Sequence, residues 1–187
     1  MSDSELRERI LHAAVHLFCQ NGYHGTSMRD IAREAQCSLP MMYYYFTNKR
    51  DLYEEIAVRE FFRMIERNYA GLDLTLTPVE FYLQVARMWR ALSDMDRSIY
   101  KIALRLYFGF EGEADLREKM VQWEQSRVQN NRKLLDRYIC REEDRQVAAE
   151  VLTGFLEYTM DKMMLLGEDV PEDTLRRQLE FLLGKVI

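Results

Sequence analysis

The chain has 187 residues and 48% hydrophobic content, which is enough apolar surface for a folded domain and argues against disorder. Only eight glycines and three prolines interrupt a composition rich in helix formers, so a sheet of many strands is disfavoured and an all-α fold is predicted. The net charge of −5 argues against a protein that coats nucleic acid non-specifically, because that role needs an excess of lysine and arginine.

The cysteines and the N-terminal residues indicate a cytoplasmic protein. Cys19, Cys37 and Cys140 are odd in number and widely spaced, which fits reduced thiols better than disulfides. The first ten residues read MSDSELRERI and lack the basic start and apolar run of a signal peptide. No apolar stretch approaches the ~18 residues that cross a bilayer, so no membrane segment is expected.

Apolar residues at helical spacing predict a first helix from about residue 6 to Asn21, followed by Gly22 as a stop signal. Thr26 or Ser27 can cap a second helix that ends near Gln36. Together with a third helix described next, these two are expected to form a group of three connected helices at the front of the chain.

Ser38 can cap that third helix, which carries Pro40 in its first turn and runs to about Phe46. Six further helices bring the predicted total to nine. They begin near Asn48, Pro78 and Asp94 and then cover residues 114–139, 142–166 and 172–186.

The second and third helices have the apolar spacing of a helix-turn-helix whose first residue is Met28. The pattern needs apolar residues at fixed positions and a small residue where the two helices cross. These positions are filled by Ile31, Ala32, Ala35, Cys37, Met42 and Tyr45. The later helix of such a unit, here the third helix of the chain, lies in the major groove of DNA.

The segment GYHGTSMRDIAREAQCSLPMMYYYFTNKRDLYEEI resembles the N-terminal domain of TetR-type (TetR/AcrR) transcriptional regulators, in which a three-helix domain ends in an aromatic run and a lysine. The resemblance implies a homodimer of nine or ten helices that binds a DNA operator and a small-molecule effector. On this basis residues 1–53 are assigned to DNA binding and residues 54–187 to ligand binding and dimerisation.

Two positions depart from the family pattern. Gln36 stands where the family usually has glycine in the turn, and a side chain in a left-handed turn costs roughly 1 kcal/mol. The recognition helix begins with Leu39, Pro40 and Met41, which can contact thymine methyl groups but cannot form paired hydrogen bonds to guanine.

These residue types suggest separate roles in DNA binding. Residues 26–50 hold four basic and two acidic side chains, so the front of the chain is the credible surface for a polyanion. Arg29 is the candidate for base readout, and Leu39, Pro40 and Met41 are expected to read shape and methyl groups. Phosphate contacts are predicted for Thr26, Ser27, Tyr43, Tyr44, Tyr45 and Lys49.

The aromatic run also has a simpler interpretation, in which its rings only fill a core. Neighbouring helical residues project about 100° apart, so one buried face cannot hold all of residues 42–46. Tyr45 and Phe46 fit the core interpretation, whereas Tyr43 and Tyr44 are expected to face outward.

Residues 54–166 are rich in aromatic and methionine side chains, which fill cores but also line adaptable apolar pockets. For any single residue, a place in the core is the commoner outcome. As a set they suggest an aromatic or lipophilic effector. The candidates are Phe62, Trp89, Tyr100, Tyr107, Trp123 and Tyr158.

The last two helices carry apolar rows that could form a four-helix interface between two copies of the chain. The candidates are Leu152, Phe155, Leu175, Leu179 and Leu182. Such a row is more often part of the core of its own chain.

His12 and His16 lie four residues apart beside Glu8, a spacing that a metal ion can use, although surface histidines are the more common explanation. The sequence contains no Ser/His/Asp arrangement, phosphate-binding glycine loop or HExxH motif. We therefore expect no enzyme activity, no metal and no cofactor.

Taken together, the sequence predicts a ligand-responsive transcriptional regulator, with repressor as the favoured sign. An alternative is a helical protein–protein adaptor whose head does not bind DNA, which the apolar start of the third helix and the acidic net charge favour. An enzyme acting on a small lipophile is a third alternative and would need a nucleophile or an acid–base pair in its pocket.

Overall fold

The computed structural model describes residues 3–109 and 114–184, and within these ranges the chain is all-helical. Its nine helices are α1 Asp3–Asn21, α2 Met28–Glu34, α3 Leu39–Tyr45, α4 over residues 49–69, α5 Pro78–Arg90, α6 Asp94–Tyr107, α7 Ala114–Leu135, α8 Glu142–Met164 and α9 Glu172–Leu183. The predicted fold class and helix number are confirmed for this part of the chain. The predicted end of the last helix at residue 186 lies outside the described residues. No helix in the described ranges combines the length and the apolarity that crossing a membrane requires.

Side-chain caps fix where five of these helices begin. Each cap accepts a hydrogen bond from the backbone N–H three residues further along, which satisfies one of the free donors at a helix start. The caps are Ser27 for α2, Ser38 for α3, Asn48 for α4, Thr77 for α5 and Ser93 for α6. Of the two predicted candidates for α2, Ser27 is therefore the cap and Thr26 is not.

Contacts divide the chain into two compact units. Unit 1 comprises Met1–Ile65 and Ser93–Val121, and unit 2 comprises Glu66–Leu92 and Gln122–Ile187. The predicted domain boundary between residues 53 and 54 does not coincide with this division. The difference arises because α6 packs against both α1 and the middle of α4, within unit 1.

The core of unit 1 is built where α1 meets α6 and α4. Phe18 and Tyr53 are fully buried, with their rings edge to face at 5.2 Å between centroids. Arg105 of α6 donates hydrogen bonds to the carbonyl oxygens of Phe18 (2.9 Å) and Cys19 (3.1 Å). These carbonyls lie in the last turn of α1, so Arg105 satisfies acceptors that the helix itself leaves open.

The middle of α4 is a π-helical section, Glu55–Glu60, flanked by the α-helical segments Lys49–Glu54 and Phe61–Tyr69. Glu55 is 3% exposed and pairs with three arginines. Arg59 and Arg63 of the same helix donate to its carboxylate at 2.9 and 3.0 Å, and Arg7 of α1 is the third donor. The carboxylate therefore joins α1 to α4 inside unit 1.

Burial and hydrogen bonding act on the pKa of Glu55 in opposite directions. Burial alone raises the pKa of this carboxyl group, because it disfavours the charged form. The hydrogen bonds from Arg63, Arg59 and Arg7 outweigh burial and hold the pKa below its ordinary value of 4.5. Glu55 is thus ionised in the folded protein at neutral pH.

The turn between α2 and α3 places Gln36 at a φ of 51°, in the left-handed region. This confirms the strain predicted for a position where the family has glycine. Arg9 of α1 holds the turn by donating hydrogen bonds to the carbonyl oxygen of Gln36, at 3.1 Å, and to that of Ala35.

In unit 2, α5 packs against α8 and α9. A chain of hydrogen bonds runs through its interior. Tyr82 donates to Oδ1 of Asn131 at 2.8 Å, and Nδ2 of Asn131 donates to the hydroxyl oxygen of Thr153 at 2.7 Å. Thr153 in turn donates to the carbonyl oxygen of Ala149, so each of these buried polar groups is satisfied.

The predicted dimer residues fall into two groups. Leu152, Leu175 and Leu179 are at most 1% exposed and belong to the core of unit 2, so their assignment to an intersubunit interface is wrong. Phe155 and Leu182 are half-buried. The predicted apolar residues do share a face of their helices, but this face packs mainly against the interior of their own chain.

Replacing Gln36 by glycine is expected to raise the free energy of unfolding by about 0.5 kcal/mol. Glycine adopts a positive φ without the strain of a side chain, and the greater entropy of the unfolded chain offsets part of that gain. Urea denaturation followed by circular dichroism measures the change. Gln36→Ala is the matched control, since it keeps a Cβ atom and should not stabilise. Equal stabilisation by both variants would contradict the view that the positive φ at residue 36 causes the strain.

Replacing Glu55 by glutamine is expected to lower the free energy of unfolding by about 2 kcal/mol at neutral pH, because three arginines lose their shared carboxylate. The folded pKa lies below the unfolded one, so this contribution is complete above the ordinary pKa of 4.5 and is lost as pH falls through the folded value. Denaturation at pH steps from neutral to acidic should therefore show a smaller acid loss in the variant. Glu60→Gln, which leaves Glu55 in place, should cost about 0.5 kcal/mol or less.

Candidate nucleic-acid interface

Helix α3 exposes two tyrosines because it has only seven residues and a single inward side. Met42 is completely buried and Phe46, one turn later, is 3% exposed. Residues between these two anchors must point away from the core. Tyr43 is 50% exposed and Tyr44 is 72% exposed, which places both phenols on the outside of unit 1.

The start of α3 forms an apolar edge beside these tyrosines. Met41 is 39% exposed, Pro40 is exposed and Leu39 is half-buried. Of their atoms, only the main chain can offer hydrogen bonds, and Ser38 already accepts from the N–H of Met41. This edge can contact methyl groups and the shape of a groove, as expected from its composition.

A groove of about 600 Å³ lies between the start of α2 and the exposed side of α3. It brings together six of the ten residues that were predicted to contact DNA. These six are Thr26, Ser27, Arg29, Leu39, Tyr43 and Lys49, of which Thr26 is buried. The exposed phenol, the guanidinium and the ammonium thus border one surface.

Arg29 is exposed and forms no ion pair with any residue that the structure describes. Its neighbour on α2, Arg33, is instead paired with Asp30 at 2.6 Å. Asp30 also accepts from the hydroxyl and the N–H of Ser27, which lowers the pKa of this carboxyl group further. Arg29 is therefore the cation of α2 that remains available to a ligand.

Lys49 has a structural role that the sequence did not indicate. Its ammonium donates to the carbonyl oxygens of Tyr23 (2.8 Å) and Thr26 (3.0 Å) and lies 4.4 Å from the centre of the Tyr23 ring. Lys49 thereby fixes the connector between α1 and α2. Its charge stays at the groove, but two of its three N–H donors are used within the protein.

Two of the predicted phosphate contacts are engaged elsewhere. Thr26 is 2% exposed, and its hydroxyl donates to the carbonyl oxygens of Gly22 (2.8 Å) and Leu17 (3.2 Å). Tyr45 is half-buried and donates to the Asp3 carboxylate, which together with burial raises the pKa of Tyr45 to about 12. We therefore remove both side chains from the set of phosphate ligands.

The aromatic residues predicted to bind an effector are divided between the two units. Phe62, Tyr100 and Tyr107 belong to unit 1, and Trp89, Trp123 and Tyr158 belong to unit 2. Within unit 2, Trp89 is 1% exposed in the core and Tyr158 is 61% exposed. Their assignment to an effector site therefore stays a prediction.

Unit 2 does contain a cavity, but it is lined by residues that the sequence did not single out. Its volume is about 380 Å³. The lining residues are Tyr69, Leu74, Phe81, Asn130, Asn131, Lys133, Leu134, Arg137 and Tyr138. They come from segments that are far apart in the chain, and no local pattern connects them.

The paired histidines of α1 lie at a shallow groove of about 630 Å³ on the other side of the head, meaning helices α1–α3. Nδ1 of His16 lies 3.3 Å from the carboxylate of Glu34, and Nε2 lies 2.8 Å from the side-chain amide of Gln20. Among the described residues, no three His, Cys, Asp or Glu side chains are placed to hold a metal ion.

Comparison with known proteins points to one family. Residues 10–56 match the model for bacterial regulatory proteins of the tetR family. A segment of 50 residues is 34% identical to the negative transcriptional regulator IcaR of the biofilm operon icaADBC of Staphylococcus aureus. That segment is 27% of this chain and 27% of IcaR, so the match spans about a quarter of the relative.

Solved structures match over nearly the whole chain and show its fold. A TetR-like transcriptional regulator from Rhodococcus sp. RHA1 has a TM-score of 0.77 at 23% identity, covering 99% of this chain and 97% of that one. The multidrug binding protein EbrR complexed with malachite green has a TM-score of 0.68 at 22% identity, covering 94% and 96%. The helix-turn-helix geometry and the family match identify residues 10–56 as an N-terminal domain of the tetR type, and the solved structures show that the described chain shares the fold of TetR-like regulators.

Proposed function

We propose that this protein is a ligand-responsive repressor that binds a palindromic DNA operator as a homodimer and leaves it when a small apolar effector binds. In this proposal residues 1–53 carry DNA binding, and residues 54–187 carry effector binding and dimerisation. The observation that carries the proposal is the surface of α2 and α3, where Arg29, Tyr43 and Tyr44 face outward beside the charge of Lys49.

The exposed side of α3 carries side chains that can form favourable contacts in a DNA groove. Two phenols and a methionine are exposed on a helix of seven residues. Phenol hydroxyls can donate to phosphate oxygens, and the N-terminal residues of a recognition helix meet base edges in the major groove. We assign Tyr43, Tyr44 and Lys49 to phosphate contacts and Arg29 to base readout.

The acidic net charge is compatible with DNA binding at this surface. The six charged residues of positions 26–50 include four cations, and Arg29 among them is exposed without an acidic partner in the described chain. An adaptor with a head that does not bind DNA has no evident use for an unpaired arginine next to exposed phenols. The negative regulation named for IcaR supports the choice of repressor over activator.

The dimer surface proposed here differs from the one predicted from sequence. Val147, Val151 and Tyr158 of α8 are 60%, 51% and 61% exposed, and they lie at helical spacing on one face with Gly154. A Cβ atom at Gly154 would meet nothing within 4 Å, so this face is open. On α9, Phe181 is 67% exposed.

We call Val147, Val151, Gly154 and Tyr158 the outer row of α8. An exposed apolar row of this length on α8 marks an interaction surface, because the exposure of apolar side chains to water is unfavourable. A second copy related by a two-fold axis can cover it with the same row, which gives a closed dimer. Two heads related in this way fit the two half-sites of a palindromic operator.

Effector binding is proposed for the second part of the chain. The neighbour EbrR is named as a multidrug binding protein and was solved with malachite green and with imidazole. We infer that an effector shifts α4 and thereby changes the spacing of the two heads in the dimer. Half-sites that lie one helical turn apart, about 34–36 Å, would then no longer be matched.

The DNA-binding surface can be tested by selecting bound sequences from random duplex DNA with the wild-type protein and four variants. Arg29→Ala is expected to lose about 1–3 kcal/mol of discrimination at the base it reads. Tyr43→Phe is expected to weaken binding about fivefold at every sequence, since one hydrogen bond to phosphate is worth about 1 kcal/mol. Fluorescence anisotropy with a selected duplex gives the affinities.

The controls are matched in residue type. Tyr45→Phe removes a hydroxyl that donates to Asp3, and Arg33→Ala removes a guanidinium that pairs with Asp30, so neither should change the selected sequence. An unchanged preference in Arg29→Ala would refute base readout by this residue. A regulator should bind DNA with an affinity that falls steeply as the salt concentration rises. If no such binding is found, the adaptor is favoured over the regulator.

The dimer surface predicts that Val151→Glu yields monomers, because it places a charge in the middle of the outer row of α8. Sedimentation equilibrium over a range of protein concentrations measures the dissociation. Leu74→Glu is the matched control, since Leu74 is 64% exposed on a connector and lies outside that row. A Val151→Glu protein that stays dimeric with native circular dichroism would rule out this interface.

A further inference from the structure

The cavity of unit 2 combines an apolar wall with a cationic rim. It lies among the end of α4, the connector over residues 70–77, the start of α5 and the last turns of α7. Its volume of about 380 Å³ is near the lower end for sites that hold small molecules, which are about 300–1,000 Å³. A ligand of modest size is therefore the one that fits.

The apolar part of the cavity is formed by aliphatic and aromatic side chains from three segments. Leu74 of the connector is 64% exposed, whereas Phe81 of α5 is 8% exposed at the inner side. Leu134 of α7 is half-buried, and the ring of Tyr69 completes the wall. Burial raises the pKa of Tyr69, so its phenol stays neutral. An apolar chain or ring would be covered on several sides.

The deeper polar groups are already satisfied within the protein. Both functional ends of the Asn131 amide are used, by Tyr82 and by Thr153. The Tyr138 hydroxyl donates to the carbonyl oxygen of Leu76 at 3.4 Å. A sugar or another ligand with many hydroxyls would find few partners in the depth of this cavity, so polar recognition is restricted to the rim.

The rim carries Lys133 and Arg137, which lie four residues apart and are both exposed. Neither forms an ion pair with any described residue. Most other lysines and arginines that the structure describes in unit 2 do pair with carboxylates; examples are Arg87 with Glu172 and Arg132 with Glu142. Asn130 adds an exposed amide next to these two cations.

Helix electrostatics explains only part of this arrangement. Lys133 lies in the last turn of α7, where a cation is stabilised by the helix dipole. Arg137 lies beyond the final helical residue, Leu135, and is not part of the last turn in which that effect is strongest. The lining contains no aspartate or glutamate at all, so the two charges are not balanced at the cavity.

The acidic residues of the unit 2 interior are committed to another partner. Glu124 and Glu157 pair with Arg127 at 2.8 and 3.0 Å, and neither lines the cavity. A cationic ligand would therefore meet two positive charges at the rim and no carboxylate along the wall. An anion attached to an apolar body would meet complementary groups at both ends.

We propose that the cavity of unit 2 binds an anionic amphiphile, a carboxylate on an aliphatic chain or an aromatic ring. Lys133 and Arg137 receive the carboxylate, Asn130 donates a further hydrogen bond, and Leu74, Phe81 and Leu134 cover the apolar part. The role of this cavity as the effector site rests on the function proposed above. The binding of a carboxylate to the cavity does not depend on that function.

Isothermal titration calorimetry with the full-length protein tests the ligand class, using four probes below the concentration at which they form micelles. Decanoate represents aliphatic carboxylates and naphthoate represents aromatic ones. Decanol removes the charge, and decyltrimethylammonium reverses it. The expected order is that a carboxylate binds about tenfold or more tighter than decanol, and that the ammonium compound binds weakest. Equal or tighter binding of the ammonium compound would overturn the proposal. The carboxylate that binds tighter shows whether the natural ligand is aliphatic or aromatic.

Variants locate the bound carboxylate. Lys133→Gln and Arg137→Gln should each weaken binding of decanoate about threefold, and the double variant about tenfold, as expected for charge pairs at an exposed rim. Asn130→Trp should abolish binding by filling the opening. Arg141→Gln is the matched control, because Arg141 is an exposed cation of unit 2 outside the lining. Undiminished binding in both the double variant and Asn130→Trp would overturn the assignment to this cavity.

A parallel measurement separates this inference from the proposed function. Fluorescence anisotropy of a selected DNA duplex is recorded first without decanoate and then with it. DNA binding that decanoate releases supports both proposals. DNA binding by a protein that takes up no carboxylate would overturn the ligand inference alone. Carboxylate binding by a protein with no affinity for any selected duplex would refute the regulator and leave the site standing.

Discussion

The geometry of α3 is the constraint on which the proposed DNA-binding surface depends. Successive side chains on a helix point about 100° apart, so a helix of seven residues turns few of them inward. Within α3 only Met42 is buried, and Phe46, which ends the helix, is buried directly after it. The phenols of Tyr43 and Tyr44 are therefore forced outward. Their exposure follows from where the core is, and a partner for them has to come from outside the domain.

Several cations of unit 1 bind backbone carbonyl oxygens or carboxylates of their own chain. Lys49 donates to two carbonyl oxygens of the connector, Arg105 to two at the end of α1, and Arg9 to two at the turn before α3. Arg50 pairs with Asp115 and Arg33 with Asp30. Of the four cations in residues 26–50, Arg29 alone has no such partner among the described residues. Local net charge thus overstates the positive charge that DNA would meet.

The parts of this structure that could be predicted from the sequence are those decided by near neighbours. Ser38 caps α3 through a residue three positions away, and Gln36 adopts its left-handed φ in the short turn between two helices. The outward position of Tyr43 follows from helical spacing in the same way. Each of these features involves a handful of consecutive residues, so its physics is contained in the local sequence.

The features that could not be predicted depend on which face of a helix another helix covers. Leu152 and Val151 are adjacent and similar in type, yet the first is 1% exposed and the second 51% exposed. Periodicity finds such rows without telling which row faces the core. Lys49 shows the same limit, because its partners lie more than twenty residues earlier in the chain. The cavity of unit 2 joins segments around residues 70, 80 and 135, which no pattern in the sequence connects.

The limited free charge of each head explains why dimerisation matters to the proposed mechanism. A surface with one arginine that has no partner among the described residues, two phenols and a lysine already bonded to carbonyls offers few contacts that neutralise phosphate, so under this proposal a single head would bind DNA weakly. Linking two such heads makes the second binding event intramolecular and raises the overall affinity by about 10²–10⁴. That gain disappears when the linked heads no longer match two half-sites at once. Weak heads on a dimer of adjustable spacing are therefore more sensitive to an effector than strong heads would be.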